Sequence, residues 1–413
     1  MRRLACLICV GAALTWSGVA AASGFHTGEY SAALIGQATT GITMTENAAV
    51  IATLPAAMVR LPEGSHALGG LTNFDPSFTA TPTSTGAGVN TTTDNVLAPH
   101  AYYVQNRGAW AWGAGLYFPF NDVIQWPAGW AGRTLLTKEE INVGYLSFSG
   151  AYALNDDVSV GGSLLYIKGQ ATFELDTDLT GVGGPFVPTK LEADDTTFGV
   201  NVSVLYDKET WAVGLNHSPK YTLVGDGTLK FDRTGVAAPL LPFIQDQNVT
   251  ARLFMPSLTE LGVSLKDRKE DPNYFVELAV LRTGWSNFSE IRIVNNATGA
   301  TSKLITKKWT DTTGLKLGGN YVFSRTGDTN HRVRAGLYLD KSPIPADTLA
   351  PDVPDGEGRN EIAFGYGFKR GPLAIDASYY LILFKDSTST HPTLPAKYSG
   401  DVAILSASVG YSF

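Results

Sequence analysis

Apolar residues recur at every second position over the last eleven residues of the chain. Ala403, Leu405, Ala407, Val409, Tyr411 and Phe413 fall on one face of an extended segment, and Ile404, Ser406, Ser408, Gly410 and Ser412 on the other. A period of two is the mark of a strand. A uniformly apolar face opposite a mostly small, hydroxylated one suits a strand with lipid on one side and a wet lumen on the other. The edge strand of a soluble sandwich has the same period, so the rest of the chain has to decide.

The pattern recurs along the chain. Phe198, Val200, Val202, Val204 and Tyr206 alternate with Thr197, Gly199, Asn201 and Ser203; a polar turn at 207–210 follows, and Trp211, Val213 and Leu215 return on the same side. That is a hairpin with aromatics at its turn end. Similar runs begin at Tyr274, Leu315, Val333, Ile362 and Leu373, each long enough for the roughly 9 to 11 residues of a tilted spanning strand. With weaker segments, including 158–173, 221–231, 249–265 and 288–295, about fourteen strands are expected. Segments 75–97, 119–140, 174–195, 232–248 and 341–358 read as long loops and the other connections as short turns, an asymmetry typical of outer-membrane barrels. The faces opposite the apolar ones carry Glu277, Lys316, Arg332, Arg334 and Asp376. These charges need partners or water, which a lumen or the solvated face of an open sheet would supply.

The amino terminus favours export. Arg2 and Arg3 precede an apolar run from Leu4 to about Leu14, and Ala20-Ala21-Ala22 supplies the small residues of a cleavage site, so residues 1–22 are expected to be a signal peptide. Both cysteines, Cys6 and Cys9, lie inside it, leaving no disulfide to staple the mature chain. Loss of two arginines makes the net charge of −7 still more acidic, and no basic cluster offers an electrostatic footprint for nucleic acid. Residues 23–64 do not alternate. Their small, moderately apolar composition suits a packed plug better than a disordered tail, and residues 65–413 are left to form the barrel. The fold class expected is therefore all-β: a transmembrane antiparallel barrel of about 14 strands with its N-terminal segment in the lumen.

At this point the chain resembles the long-chain fatty acid outer-membrane transporters, the FadL-like channels that include toluene-uptake proteins. Gly24-Phe25, Glu29-Tyr30, Gly36-Gln37-Ala38, Gly41, Ala48-Ala49 and Pro55-Ala56 are similar to that family's hatch; Met255-Pro256-Ser257-Leu258, Trp285-Ser286-Asn287-Phe288, Ser342 to Ala346, Pro354-Asp355 and Arg359 follow in family order. The resemblance implies an outer-membrane channel for hydrophobic molecules, most simply long-chain fatty acids, with alkanes or aromatic hydrocarbons as alternatives. It implies binding in an apolar pocket with basic residues for a carboxylate, movement of the hatch, and lateral release into outer-membrane lipid. Gly24, Phe25, Gly36, Gly41, Leu54, Pro55 and Ala56 fall at hatch and gating positions; Leu54 replaces the family's Asn. It further implies a monomer, no cofactor, and recognition of the terminal strand at Phe413 by the barrel-assembly machinery.

Candidate ligand contacts follow from local chemistry. Phe120, Ile124, Trp126 and Trp130 concentrate apolar surface in one expected loop, as a docking groove or as the loop's own core. On the strand at 158–173, Leu165, Ile167 and Phe173 turn the inner face apolar toward the loops. Lys168, near a basic position of the family pattern, and Lys307 with Lys308 are the candidate carboxylate partners, although Lys168 shares its parity with Leu164 and Tyr166. A hydrolase would need an activated nucleophile. His217 beside Ser218 is the one suggestive cluster, and neighbours on a strand point to opposite faces. The histidines have no metal-ligand spacing. A general porin would not need the plug, and a structural or adhesin barrel is set aside only by the family resemblance.

Overall fold

Residues 64–412 form a single antiparallel sheet that closes on itself, seen in a computed structural model that describes residues 24–28 and 30–413. The expected signal peptide lies outside the described residues. Fourteen strands make the wall: β1 (Gly64–Pro82), β2 (Val96–Asn106), β3 (Trp110–Gln125), β4 (Lys138–Ala153), β5 (Val158–Asp178), β6 (Phe186–Asp207), β7 (Trp211–Ser218 and Tyr221–Phe231), β8 (Gln247–Met255 and Leu258–Lys266), β9 (Tyr274–Thr283 and Glu290–Asn295), β10 (Thr301–Thr306 and Thr312–Thr326), β11 (Thr329–Asp340), β12 (Arg359–Arg370), β13 (Leu373–Ser389) and β14 (Ala396–Ser412). β14 pairs with β1 from His66↔Ser412 to Pro82↔Ala396, which closes the barrel and removes both sheet edges.

Four consecutive strands, β7 to β10, are each interrupted at the same height. The segments 221–231 and 288–295, weak as separate strands, are the upper halves of β7 and β9. Pro219 and Pro256 lack the N–H that a ladder needs, and a short helical turn at Trp285–Asn287 interrupts β9. The 174–195 stretch is not a loop: β5 and β6 stay paired up to Asp178↔Phe186, and only 179–185 connects them. The reason is that these strands stand above the bilayer, where the outward charges Glu174, Lys190 and Glu192 are solvated and pair with one another.

Outward positions form an apolar belt that includes Phe198, Val202, Leu278, Leu317, Phe364, Leu405 and Phe413, all exposed. Ion pairs Lys168–Asp194 and Arg282–Asp311 sit on the outer wall just beyond it and mark the upper membrane interface. Snorkelling charges belong there.

The N-terminal segment fills the lumen. Residues 31–43 and 48–59 are buried, in two short helices, α1 (Ala32–Ile35) and α2 (Val50–Thr53), and a 3₁₀ turn at Pro55–Arg60. With so little helix, the segment cannot satisfy its own backbone, and the wall does it instead. The Glu277 carboxylate accepts the N–H groups of Gly41, Ile42 and Thr43 at 2.7, 2.9 and 2.8 Å. Ser203 Oγ accepts the N–H of Ala56 at 2.9 Å, while Ser159 Oγ donates to its carbonyl at 2.8 Å. Glu46 lies between Arg332 and Arg334, and Arg334 also reaches Asp376 at 2.8 Å. Burial would raise the Glu46 carboxyl, but the two guanidiniums hold it at about 2. A depressed carboxylate stabilises the folded state above its unfolded pKa and loses that effect as pH falls toward 2, so this latch is intact at neutral pH.

Close approach explains the wall glycines. A Cβ on Gly336 would stand 2.2 Å from the Gln37 carbonyl carbon, and one on Gly161 would stand 2.5 Å from the Ala56 nitrogen. Gly336→Val is therefore expected to dislodge the hatch while leaving the barrel closed. In planar bilayers its single-channel conductance should rise above wild type, with retained heat-dependent gel migration as the check on folding; unchanged conductance would place the hatch contact elsewhere.

Candidate functional site

β3 carries a register shift between Tyr117 and Phe120, where Pro119 interrupts its pairing with β4. On its other side β3 pairs with β2 only from Ala101↔Leu116 to Asn106↔Ala111. Above that level the two strands part. The start of the hatch takes the vacant edge: His26 bridges Phe120, and the Thr27 N–H donates to Pro119 O at 3.0 Å.

This turn delivers Phe25 into a nest of aromatic rings. Its centroid lies 5.0 Å from Trp285, 5.6 Å from Phe288, 5.9 Å from Phe120 and 5.9 Å from Trp309, edge to face with the two phenylalanines and tilted against the two indoles. Such pairs contribute about 0.5–1.5 kcal/mol each beyond area burial. Gly24, at φ +53°, is required beside it, since a Cβ would stand 2.6 Å from the Trp309 ring. The indole N–H groups of Trp285 and Trp309 are buried without a hydrogen-bond partner among the described residues, and an indole nitrogen can only donate. Burial, then the charges of Lys316 and Arg359, lower His26 to about 3, so its imidazole is neutral.

An apolar cavity of about 100 Å³ adjoins Phe25, lined by Phe74, Phe78, Val123, Ile382, Phe384 and Val402, and reaching Val96 and Asn121 at the β2–β3 parting. Its one cation, Arg359, already meets Glu361 at 2.8 Å and Asp340 at 3.7 Å.

A larger cavity, about 640 Å³, lies on the loop side among Leu135, Leu136, Phe173, Ile305, Lys303, Lys307 and Asp352. Lys303, Ile305 and Lys307 share the inward parity of upper β10. Lys307 is buried against Asp352 and Lys308 pairs with Asp347 at 2.8 Å. Lys303 has no carboxylate partner among the described residues, and burial pushes its ammonium below the ordinary lysine range. Inspection of parity alone would have found Lys303, since it stands two residues before Ile305 on the face of Lys307.

The sequence-predicted contacts thus divide among several places. Phe120 joins the Phe25 nest and, with Leu165, lines a narrow space above the hatch. Ile167 is buried on the inner wall, while Phe173, Lys307 and Lys308 line the loop-side cavity. Ile124 is not in a loop but buried near the upper end of β3, paired with Glu139, while Trp126 and Trp130 pack in the core of the loop that follows: the two indoles stack at 4.5 Å and donate to Pro351 O and Leu136 O. Lys168 points outward to Asp194. Of the hatch positions, Gly36 lies against Gly365, Leu54 against Gly214, and Pro55-Ala56 against Gly161.

A family model described as "Outer membrane protein transport protein (OMPP1/FadL/TodX)" matches residues 13–413. The chain belongs to this family. It is a bacterial outer-membrane transporter of hydrophobic compounds rather than an enzyme. It is 23% identical over 395 residues to the long-chain fatty acid transport protein of Escherichia coli O6:H1, covering 86% of each chain, and 24% identical over 421 residues to the 47 kDa outer membrane protein of Pasteurella multocida, covering 96% of each. A Pseudomonas aeruginosa FadL homologue has the same fold, with a TM-score of 0.82 at 18% identity over 95% of this chain and 100% of that one. The fold is also similar to that of the Ralstonia pickettii toluene transporter TbuX, with a TM-score of 0.69 at 17% identity over 93% of this chain and 98% of that one.

Within this family member Lys307 holds the loop-side wall together. Removing one partner of a buried pair costs about 3–5 kcal/mol because the other charge is stranded, here Asp352. Lys307→Met should therefore lower the temperature at which the folded gel band converts to the unfolded one, whereas Lys303→Met should not; equal temperatures for Lys307→Met and wild type would refute the structural role.

Proposed function

We propose that this transporter takes up long-chain fatty acids, with the carboxylate first held at Lys303. The observation that carries the reading is Lys303, which has no carboxylate partner among the described residues, in the largest loop-side cavity, beside apolar walls from Leu135, Leu136, Phe173 and Ile305. An amphipathic ligand supplies both things such a site needs: a charge for the ammonium and a chain for the apolar surface. From there the ligand moves to the apolar pocket at Phe25. Displacing that ring, which fills the aromatic nest, lets an acyl chain replace its contacts, and the unpartnered indole N–H groups of Trp285 and Trp309 offer donors to carboxyl oxygens. Movement of the hatch end away from Phe120 and Pro119 then opens the β2–β3 parting toward lipid. The sequence relatives named long-chain fatty acid transport proteins support this choice of substrate.

One observation favours a neutral aromatic hydrocarbon instead. Arg359 is already matched by Glu361 and Asp340, so the inner pocket has no spare cation, and the similarity to the toluene transporter TbuX points the same way.

A single substitution separates the two. A charge-assisted hydrogen bond contributes about 1.5–3 kcal/mol, so Lys303→Met should weaken oleate binding by about tenfold or more. Toluene binding should stay unchanged, with both affinities measured by ligand titration of the purified protein. Unaltered oleate affinity would remove the carboxylate assignment and leave the hydrocarbon reading.

A further inference from the structure

We infer that the barrel wall has a second opening, between β6 and β7, through which a hydrophobic ligand leaves the lumen for the bilayer. The inference rests on the uptake reading above and adds an exit distinct from the β2–β3 parting. β6 is paired with β5 along its whole length, Val158↔Tyr206 to Asp178↔Phe186. Its other edge meets β7 only from Val202↔His217 to Asp207↔Ala212 and again from Thr189↔Phe231 to Asp194↔Asp226. Between these two stretches residues 195–201 of β6 face residues 218–225 of β7 without a ladder.

The cause is local. Pro219 breaks β7, and the strand above it leans inward, so that Leu223 reaches across the inner face of β6; a Cβ on Gly169 of β5 would stand 2.5 Å from Leu223 Cδ1. Side chains frame the two ends of the gap. Asn201 Nδ2 donates to Ser218 Oγ at 3.0 Å, and Asp195 accepts the Val224 N–H at 2.7 Å.

The gap lies within the apolar belt. Phe198 and Val200, at its outer rim, are exposed, and the Lys168–Asp194 pair that marks the interface lies just above. An unpaired strand edge at hydrocarbon depth is tolerated only where it lines a cavity, and this one does. Gly199, Val200, Asn201, Ser218 and Pro219 line the narrow space that continues inward to Ile42 and Thr53 of the hatch. Val200, on the lipid-facing parity, bounds that inner space as well. Asn201 is 7% exposed, and its Oδ1 has no partner among the described residues. It is an acceptor that a passing protonated carboxyl or hydroxyl would meet. Tyr145 and Tyr221, whose hydroxyls are 2.8 Å apart, close the inner end, so a rotation of Tyr221 would connect the Phe120 side of the pocket with the gap.

The test uses the full-length protein with Cys6 and Cys9 replaced by alanine, reconstituted into liposomes that contain a maleimide carried on a long acyl chain. Ser218→Cys, on the inner edge of the gap, should be labelled from the lipid phase, roughly tenfold or more faster than Ser378→Cys, which is buried behind closed seams on β13. Equal background labelling of the two would overturn the opening whatever the substrate is. In cells that depend on this protein for oleate uptake, capping Ser218→Cys with benzyl methanethiosulfonate should reduce uptake several-fold and dithiothreitol should restore it. Unchanged uptake on capping would overturn the exit role. If the uncapped protein gives no oleate uptake above cells lacking it, the fatty acid reading falls while the labelling result still decides the opening.

Discussion

Inside a bilayer no water is present to satisfy a backbone N–H or C=O, and that requirement governs this molecule from wall to hatch. Strands must pair on both edges, so the sheet closes from β14 to β1. The hatch, which contains almost no regular structure, obeys the same rule by other means. Its amides at Gly41 to Thr43 are taken up by the carboxylate of Glu277 and its Ala56 backbone by two serines of the wall. The two places where strands part, β2 from β3 and β6 from β7, stand out against that background. At the first, the hatch itself supplies partners through His26 and Thr27; at the second, a space inside the barrel reaches the gap.

The charged residues on the inner faces of the strands are one half of a lock. Glu277, Arg332, Arg334 and Lys316 are each bonded to hatch groups: three amides, the Glu46 carboxylate and the carbonyl of Thr39. A buried charge stripped of its partner is strongly destabilising, so the hatch cannot withdraw without water following it into the lumen. On the loop side two indoles stack, and Lys303, half-buried in the larger cavity, has no carboxylate partner among the described residues.

Much of this was legible in the sequence because alternation is a strong signal where one side of a strand is lipid. Leu405, Ala407, Val409, Tyr411 and Phe413 point outward as the pattern required, and the inner charges Glu277, Lys316, Arg332, Arg334 and Asp376 are all buried with partners. What alternation could not carry was anything dependent on strand breaks. The upper halves of β7 and β9 read as separate weak strands because Pro219 and the turn at Trp285 interrupt the period without ending the strand. The stretch 174–195 looked like a loop because its outward residues are charged, as befits a strand standing in water. Trp126 and Trp130 gave no hint of orientation, since the same composition builds a groove or a loop core. Lys303 sat in plain view beside Lys307, and only the inner face shared by both gives it meaning.

The wall holds the hatch backbone closed, with Glu277 as the principal acceptor. Amide hydrogen exchange on the protein in detergent micelles tests it directly, read on a peptide spanning residues 38–46 in wild type and in Glu277→Gln. The Gly41, Ile42 and Thr43 amides should exchange as slowly as those of the paired β14 in wild type, and the substitution should speed their exchange while β14 stays protected. Wild-type exchange at these amides as fast as in the extracellular loops would contradict it.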